Sequence, residues 1–411
     1  MHIIDRRRGD LPAVHGGKPI FKERFRFIRP SLPPIEHVLE EYEPGYRNAI
    51  LTNATLVARF EREAAEWIGV RHCVAVSSCT SGLTLVMRAL GLSGEVILPS
   101  MTFFATAHAA RWNNLQPVFA DCSAESWNIS PADVEARITD RTSAIVGVHL
   151  YGNPCDVEAL QEIASRHRLK LIFDAAHAFG SCRGGVSMGG FGDAEVFSLS
   201  PTKLLVAGEG GLVATNDEHL AQFLRTMRNY GDSGRYDPEW VGANARMSEF
   251  NAALALQGLP MVEEKVSART RIAKRYTQLL SALPGTAFQA VHPEDTHSFK
   301  DYSVHISAEE FGMDRDALAS ALLAENIETK KYFYPPLHQQ RIYRAYHSAE
   351  REPLPNTEYV AGNILSLPIY ESLSDEMVDG TVQAIRRLYE YERARQAQAS
   401  PAERMSHAAR D

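Results

Sequence analysis

The feature that most constrains this chain is a rhythm. From about Cys73 to Asn216, short β-rich runs alternate with segments of helical pattern. The runs CVAVS, EVILP, PVFAD, SAIVGVHL, KLIFDAA, EVFSLS and GGLVATN make seven strand candidates. Helices are expected near residues 82 to 90, 105 to 112, 131 to 138 and 156 to 167. Strands joined through helices pair as parallel βαβ units. Several of the runs are apolar at consecutive positions, as strands buried on both faces must be. The expected fold is α/β, with a seven-stranded, mostly parallel sheet between helices.

After Asp217 the rhythm stops. Helical patterns near residues 219 to 229 and 248 to 256 and a long one from 261 to 283 lead to a new β-rich run, DYSVHIS, a helix near 314 to 325, the aromatic-proline loop YFYPPLH and a closing helix near 375 to 391. A chain of 411 residues is too long for one ordinary core. The expected division is a large domain over 1–260, a small α+β domain over 261–395, and a disordered tail over 396–411, where Ala, Arg, Gln and Ser leave little surface to bury.

Charge and composition exclude some partners. A formal net charge of -8 with scattered basic residues gives no general attraction for nucleic acid or anionic membranes. No apolar run approaches the length of a membrane span, and the start of the chain lacks the apolar stretch of an export signal. Five cysteines without a CxxC pair fit reduced thiols in a cytoplasm. His108, His177 and His338 have no companions at metal-ligand spacing, so no metal site is expected.

Two residues invite chemistry. Asp174 ends the run KLIFDAA, with His177 three residues on, and Lys203 follows the run EVFSLS. In open α/β sheets the carboxyl ends of neighbouring strands form the ligand crevice. An acid and a lysine meeting there are what pyridoxal phosphate (PLP) requires: the lysine holds the aldehyde as a Schiff base, and the acid keeps the pyridine nitrogen protonated. An ordinary salt bridge is the competing reading. The run SSCTSG puts Thr80, Ser81 and Gly82 at a helix start, where N–H groups and the dipole can hold a phosphate or where Ser and Thr merely cap the helix. Glycines 208, 210 and 211 around Glu209 read as a tight turn. Phe103 and Phe104 are either core or a stacking face for a flat heterocycle.

The ordered set GGKPIF, AVSSCTSGL, VILPSMTFFATAHA, TSAIVGVHLYGNPCD, FDAAHAFG, GDAEVFSLSPTK, GEGGLVATND, MRNYGDSGRY, GANARMSEFNAAL and YFYPPLH resembles the DegT/StrS-type sugar aminotransferases, a group of fold-type I PLP enzymes, over nearly the whole chain. The resemblance implies that Lys203 forms the Schiff base, Asp174 bonds the pyridine nitrogen, and His177 lies beside the ring. It further implies that Phe103 stacks on the ring, that Thr80, Ser81 and Ser198 contact the phosphate, and that Asn244 reaches the phosphate from the partner subunit of a homodimer. Three positions depart from the family pattern: Cys79 stands where glycine is frequent, Phe173 replaces an acidic residue, and Pro201 sits two before the lysine.

The implied reaction moves an amino group from a donor such as glutamate, through pyridoxamine phosphate, to a keto-sugar carried on a nucleotide. The wording ETKKYFYPPLH is similar to members acting at C4 of a dTDP-linked 4-keto-6-deoxyhexose, with Lys330, Tyr332, Tyr334 and His338 as candidate substrate contacts. Aminotransferases for 3-keto-sugars or aminocyclitols are the alternatives. Sugar deoxygenation is a further one, although its enzymes carry histidine in place of the lysine. Outside enzymology, the alternative is a regulatory protein that retains a cofactor pocket.

Overall fold

A computed structural model describes residues 11–348 and 352–398. The seven expected runs all form strands: β1 (His72–Val76), β2 (Glu95–Pro99), β3 (Gln116–Ala120), β4 (Thr142–Val148), β5 (Lys170–Asp174), and, after a small hairpin of β6 (Cys182–Arg183) and β7 (Val186–Ser187), β8 (Ala194–Ser198) and β9 (Gly211–Thr215). They make one sheet in the order β1-β9-β8-β5-β4-β2-β3. β9 runs antiparallel to both its neighbours, and the remaining pairs are parallel.

Alternation along the strands divides the core into two layers. Val74 and Val76 of β1, Val96 and Leu98 of β2, and Val196 of β8 face one side, where they meet the helices Cys79–Ala89, Ala105–Trp112 and Glu218–Met227. Cys73, Ala75 and Phe197 face the other, against the helices Thr55–Ile68 and Glu249–Gly258. Ile97, Ile145 and Phe173 continue that face toward the helix Val157–His167. Both faces are therefore dry, which is why the strands read as unbroken apolar runs.

A second core surrounds a three-stranded antiparallel sheet of β10 (Thr286–Phe288), β11 (Tyr302–Ile306) and β12 (Ile364–Leu367). The helix Val262–Leu280 joins the two cores: Val262 and Val266 pack in the first, Ile272, Tyr276 and Leu280 in the second. Phe25, far away in sequence, also packs in the second core, with Ile20 and Phe21 against it. The closing helix runs Asp375–Gln398, so the expected tail lies outside the described residues from 399 onward. No helix among the described residues is long and apolar enough to cross a membrane.

Candidate active site

β5 and β8 are neighbours, with Asp174 paired in register with Val196. This pairing sets Asp174 and the segment that follows Ser198 at the same end of the sheet. The helix Cys79–Ala89 starts beside them because two glycines admit it. A Cβ on Gly82 would stand 2.7 Å from Val196, and one on Gly211 would stand 2.5 Å from the Ser78 carbonyl.

A cavity of about 380 Å³ opens at these strand ends. Seven of the expected residues line it: Lys203, Asp174, His177, Thr80, Phe103, Ser198 and Tyr332. Asp174 is buried and is held on both oxygens. Oδ2 accepts from the Thr106 hydroxyl at 2.7 Å and Oδ1 from the Ala176 N–H at 3.1 Å. Burial pushes its carboxyl up, while those two hydrogen bonds, Lys203 and His149 oppose the rise.

Burial lowers the Lys203 amine from the ordinary lysine value to about 7. Lys300 pushes the same way, against Asp301, Cys79 and Asp174. His177 is buried, and its Nδ1 accepts the Tyr151 N–H at 3.2 Å. The ring hydrogen therefore sits on Nε2. Burial holds this imidazole well below the usual range, as do the charges of Lys203, Lys300 and His297. It is neutral at working pH.

At the helix start, Ser78 and Ser81 form a closed capping box: the Ser81 N–H donates to Ser78 Oγ at 3.1 Å and the Ser78 N–H to Ser81 Oγ at 3.0 Å. The Ser81 hydroxyl also donates to the Ser78 carbonyl at 2.8 Å, and Ser81 does not line the cavity. The anion-binding capacity of this end rests on Cys79 and Thr80, first-turn residues that do line it. The Cys79 thiol lies 3.9 Å from Asp174 Oδ1, and burial raises it well above the usual thiol value.

The other expected residues lie elsewhere. Lys330 and Tyr334 line a second depression of about 580 Å³, which shares Phe103, Tyr332 and Phe333 with the cavity. The Tyr334 ring lies 4.6 Å from the Arg315 guanidinium carbon. His338 is buried away from both, its Nδ1 2.7 Å from the Ser100 hydroxyl and its Nε2 3.1 Å from Glu358. Asn244 is exposed and lines neither recess of its own chain. A larger cleft of about 830 Å³ follows the helix Val262–Leu280 past Trp67 and Arg271 and contains none of the expected residues.

Lys300, Phe333 and Thr106 have no role of their own in the sequence reading, and Glu209 and Gly210, expected only as part of a tight turn, form a wall of the cavity. One signal was present for Lys300: a Lys-Asp pair directly before an apolar strand is an unusual place to leave two charges.

Residues 36–386 match the DegT/DnrJ/EryC1/StrS aminotransferase family. The chain belongs to this family. Its relatives span related activities. A dTDP-4-amino-4,6-dideoxy-D-glucose transaminase of Escherichia coli is 34% identical over 354 residues, 85% of this chain and 95% of that protein. A UDP-N-acetyl-3-dehydro-alpha-D-glucosamine 3-aminotransferase of Acidithiobacillus ferrooxidans is 37% identical over 331 residues, 80% and 87% of the two chains. The crystal structure of DesI in the presence of its TDP-sugar product superposes with a TM-score of 0.86 at 37% identity, covering 98% of this chain and all of that one.

DegT/DnrJ/EryC1/StrS aminotransferases depend on PLP, and this member is a PLP-dependent aminotransferase. The cavity fits that cofactor. It offers an amine of lowered proton affinity, a buried carboxylate with its lone pairs already organised, an aromatic face, and hydroxyls beside a helix start that glycine lets approach the sheet.

Proposed function

We propose that this aminotransferase transfers the amino group of glutamate to a nucleotide-linked keto-sugar, at C4 of a dTDP-4-keto-6-deoxyhexose. The observation that carries the reading is the joint presence, in one cavity, of the Lys203 amine and the supported Asp174 carboxylate. The substrate class follows the activities of the relatives, and the choice of carbon follows the YFYPPLH loop. An enzyme aminating C3 is the second reading, favoured by the 3-aminotransferase relative.

PLP, when bound, supplies a carrier for the amino group and a ring that accepts the electron pair left by a departing proton. Lys203 would hold it through Nζ. Burial lowers the Nζ amine to about 7, and that amine would take a proton from the donor carbon and return one to the sugar carbon. Asp174, steadied by Thr106 and Ala176, would keep a proton on the ring nitrogen. Thr80 and Ser198, with the first-turn N–H groups, would bind the phosphate, and Phe103 would cover the ring. Neutral His177 would sit beside it, turned by the Tyr151 N–H.

We further read the enzyme as a cytoplasmic homodimer in which Asn244 serves the partner's phosphate site. Exposed Leu39 and Tyr46 on the helix Ile35–Arg47, and Phe250 against Tyr42, support this reading. The test is product analysis by mass spectrometry and NMR with glutamate and a panel of acceptors. Amination of a dTDP-4-keto-6-deoxyhexose supports the assignment. Exclusive amination of a 3-keto-sugar or a keto-inositol replaces it.

A further inference from the structure

The pair Lys300 and Asp301 stands outside the roles described above. Lys300 is 4% exposed and Asp301 1%, and the ammonium donates to both carboxylate oxygens, at 2.9 and 3.0 Å. Lys300 lines the cavity beside Lys203, His177 and Phe333, with Nζ 5.4 Å from the centre of the Tyr332 ring. Taking two charges out of water is costly, and an apolar pair of similar volume is often as stable. Packing alone gives no reason for an ion pair here.

Among the described residues lining this cavity, Lys203 and Lys300 are the only Lys or Arg side chains. In the transamination reading, on which this inference rests, Lys203 is occupied by the cofactor and then by proton transfer. The α-carbon of the donor must come to the Lys203 amine, and its carboxylate is bonded to that carbon. The carboxylate therefore enters the same cavity, where it needs a cationic donor.

We propose that Lys300 receives the α-carboxylate of the amino donor and that Asp301 is the positioning residue that holds it there. An ammonium has three N–H bonds. Those directed at Asp301 fix the side chain, and one remains for the ligand. The pair also suits an enzyme that admits two unlike substrates in turn. With the donor gone, Lys300 and Asp301 neutralise each other, and an uncharged sugar ring can enter without facing an isolated buried charge.

The test compares holoenzyme with Lys300→Met, Lys300→Arg and the double variant Lys300→Met/Asp301→Asn, which leaves no unpaired acid if the single variant does not fold. Two probes are titrated against the visible spectrum: α-methylglutamate, which carries the carboxylate but has no α-proton to lose, and glutamate. Loss of a charged hydrogen bond predicts about a 10- to 100-fold weaker half-saturation for both in the Met variants. The half-saturation for the keto-sugar in the return reaction should stay within about twofold, and Lys300→Arg should recover much of the loss. Donor half-saturation unchanged in the Met variants, or donor and ketone weakened equally, overturns the assignment while leaving transamination intact. A wild-type enzyme that responds to no amino acid overturns the transamination reading and this assignment with it.

Discussion

Asp174 and Lys203 reach the cavity from the ends of two adjacent parallel strands, whereas Lys300, Tyr332 and Phe333 reach it from segments attached to the second sheet. The first group is set by ladder register. The second is set by single contacts between distant segments: the Lys300 N–H on the Tyr151 carbonyl at 2.9 Å, the Tyr151 hydroxyl donating to the Tyr332 carbonyl, and the Ser298 hydroxyl on the His177 carbonyl at 2.8 Å. The floor holds the groups that any reaction of this class requires. The rim holds the groups that can differ between substrates without disturbing the sheet.

If that division is right, substitutions in the floor strike turnover and those in the rim strike substrate affinity. Lys203→Ala should lower kcat by at least about 10⁴-fold, measured by amino-group transfer, because the covalent anchor and the proton carrier are lost together. In cofactor-free protein the same amine should gain reactivity toward an acylating reagent as pH rises, with a midpoint near 7. Above that pH it is unprotonated, so at neutrality its free-amine fraction should exceed that of an exposed lysine by roughly a thousandfold. Peptide mass spectrometry across a pH series reads this directly. Asp174→Asn should cost about 10²- to 10³-fold in kcat with a small change in KM, since it removes charge aimed at the ring and leaves the cavity shape. Lys330→Ala, at an exposed position of the rim, should raise KM for the nucleotide sugar by about 2- to 3-fold, an effect that shrinks in high salt. His338→Ala should change kcat and KM by less than about 2-fold, yet cost about 1–3 kcal/mol in denaturant unfolding, because the buried Ser100 hydroxyl loses its bond to the imidazole and keeps only the backbone N–H of residue 338. A large catalytic loss from His338→Ala would break the division between floor and rim.

The same division explains what the sequence made legible. The strands and the helices over them follow from alternation and apolar runs, so Asp174 and the segment carrying Lys203 could be assigned to one sheet edge from local pattern. Thr106 was not legible, because its bond to Asp174 joins the helix after β2 to the end of β5. Lys300 reaches the cavity only because the second sheet packs against the first, and Phe25 meets Ile327 and Tyr370, more than 300 residues further along the chain. Ser81 illustrates a different limit. Serine near a helix start serves equally as cap or ligand, and only the reciprocal bonds with Ser78 assign it to capping. The family pattern, by contrast, named Lys203, Asp174, His177, Thr80, Phe103 and Ser198, residues drawn from several elements that share one cavity.

Whether the enzyme carries an amino group between two substrates is read from the visible spectrum of the purified protein, first alone, then with glutamate, then with a keto-sugar nucleotide. Cofactor held by Lys203 should give an absorbance band that is lost when glutamate is added and returns with the acceptor. No cofactor band, or a band that no amino donor changes, would contradict that transfer.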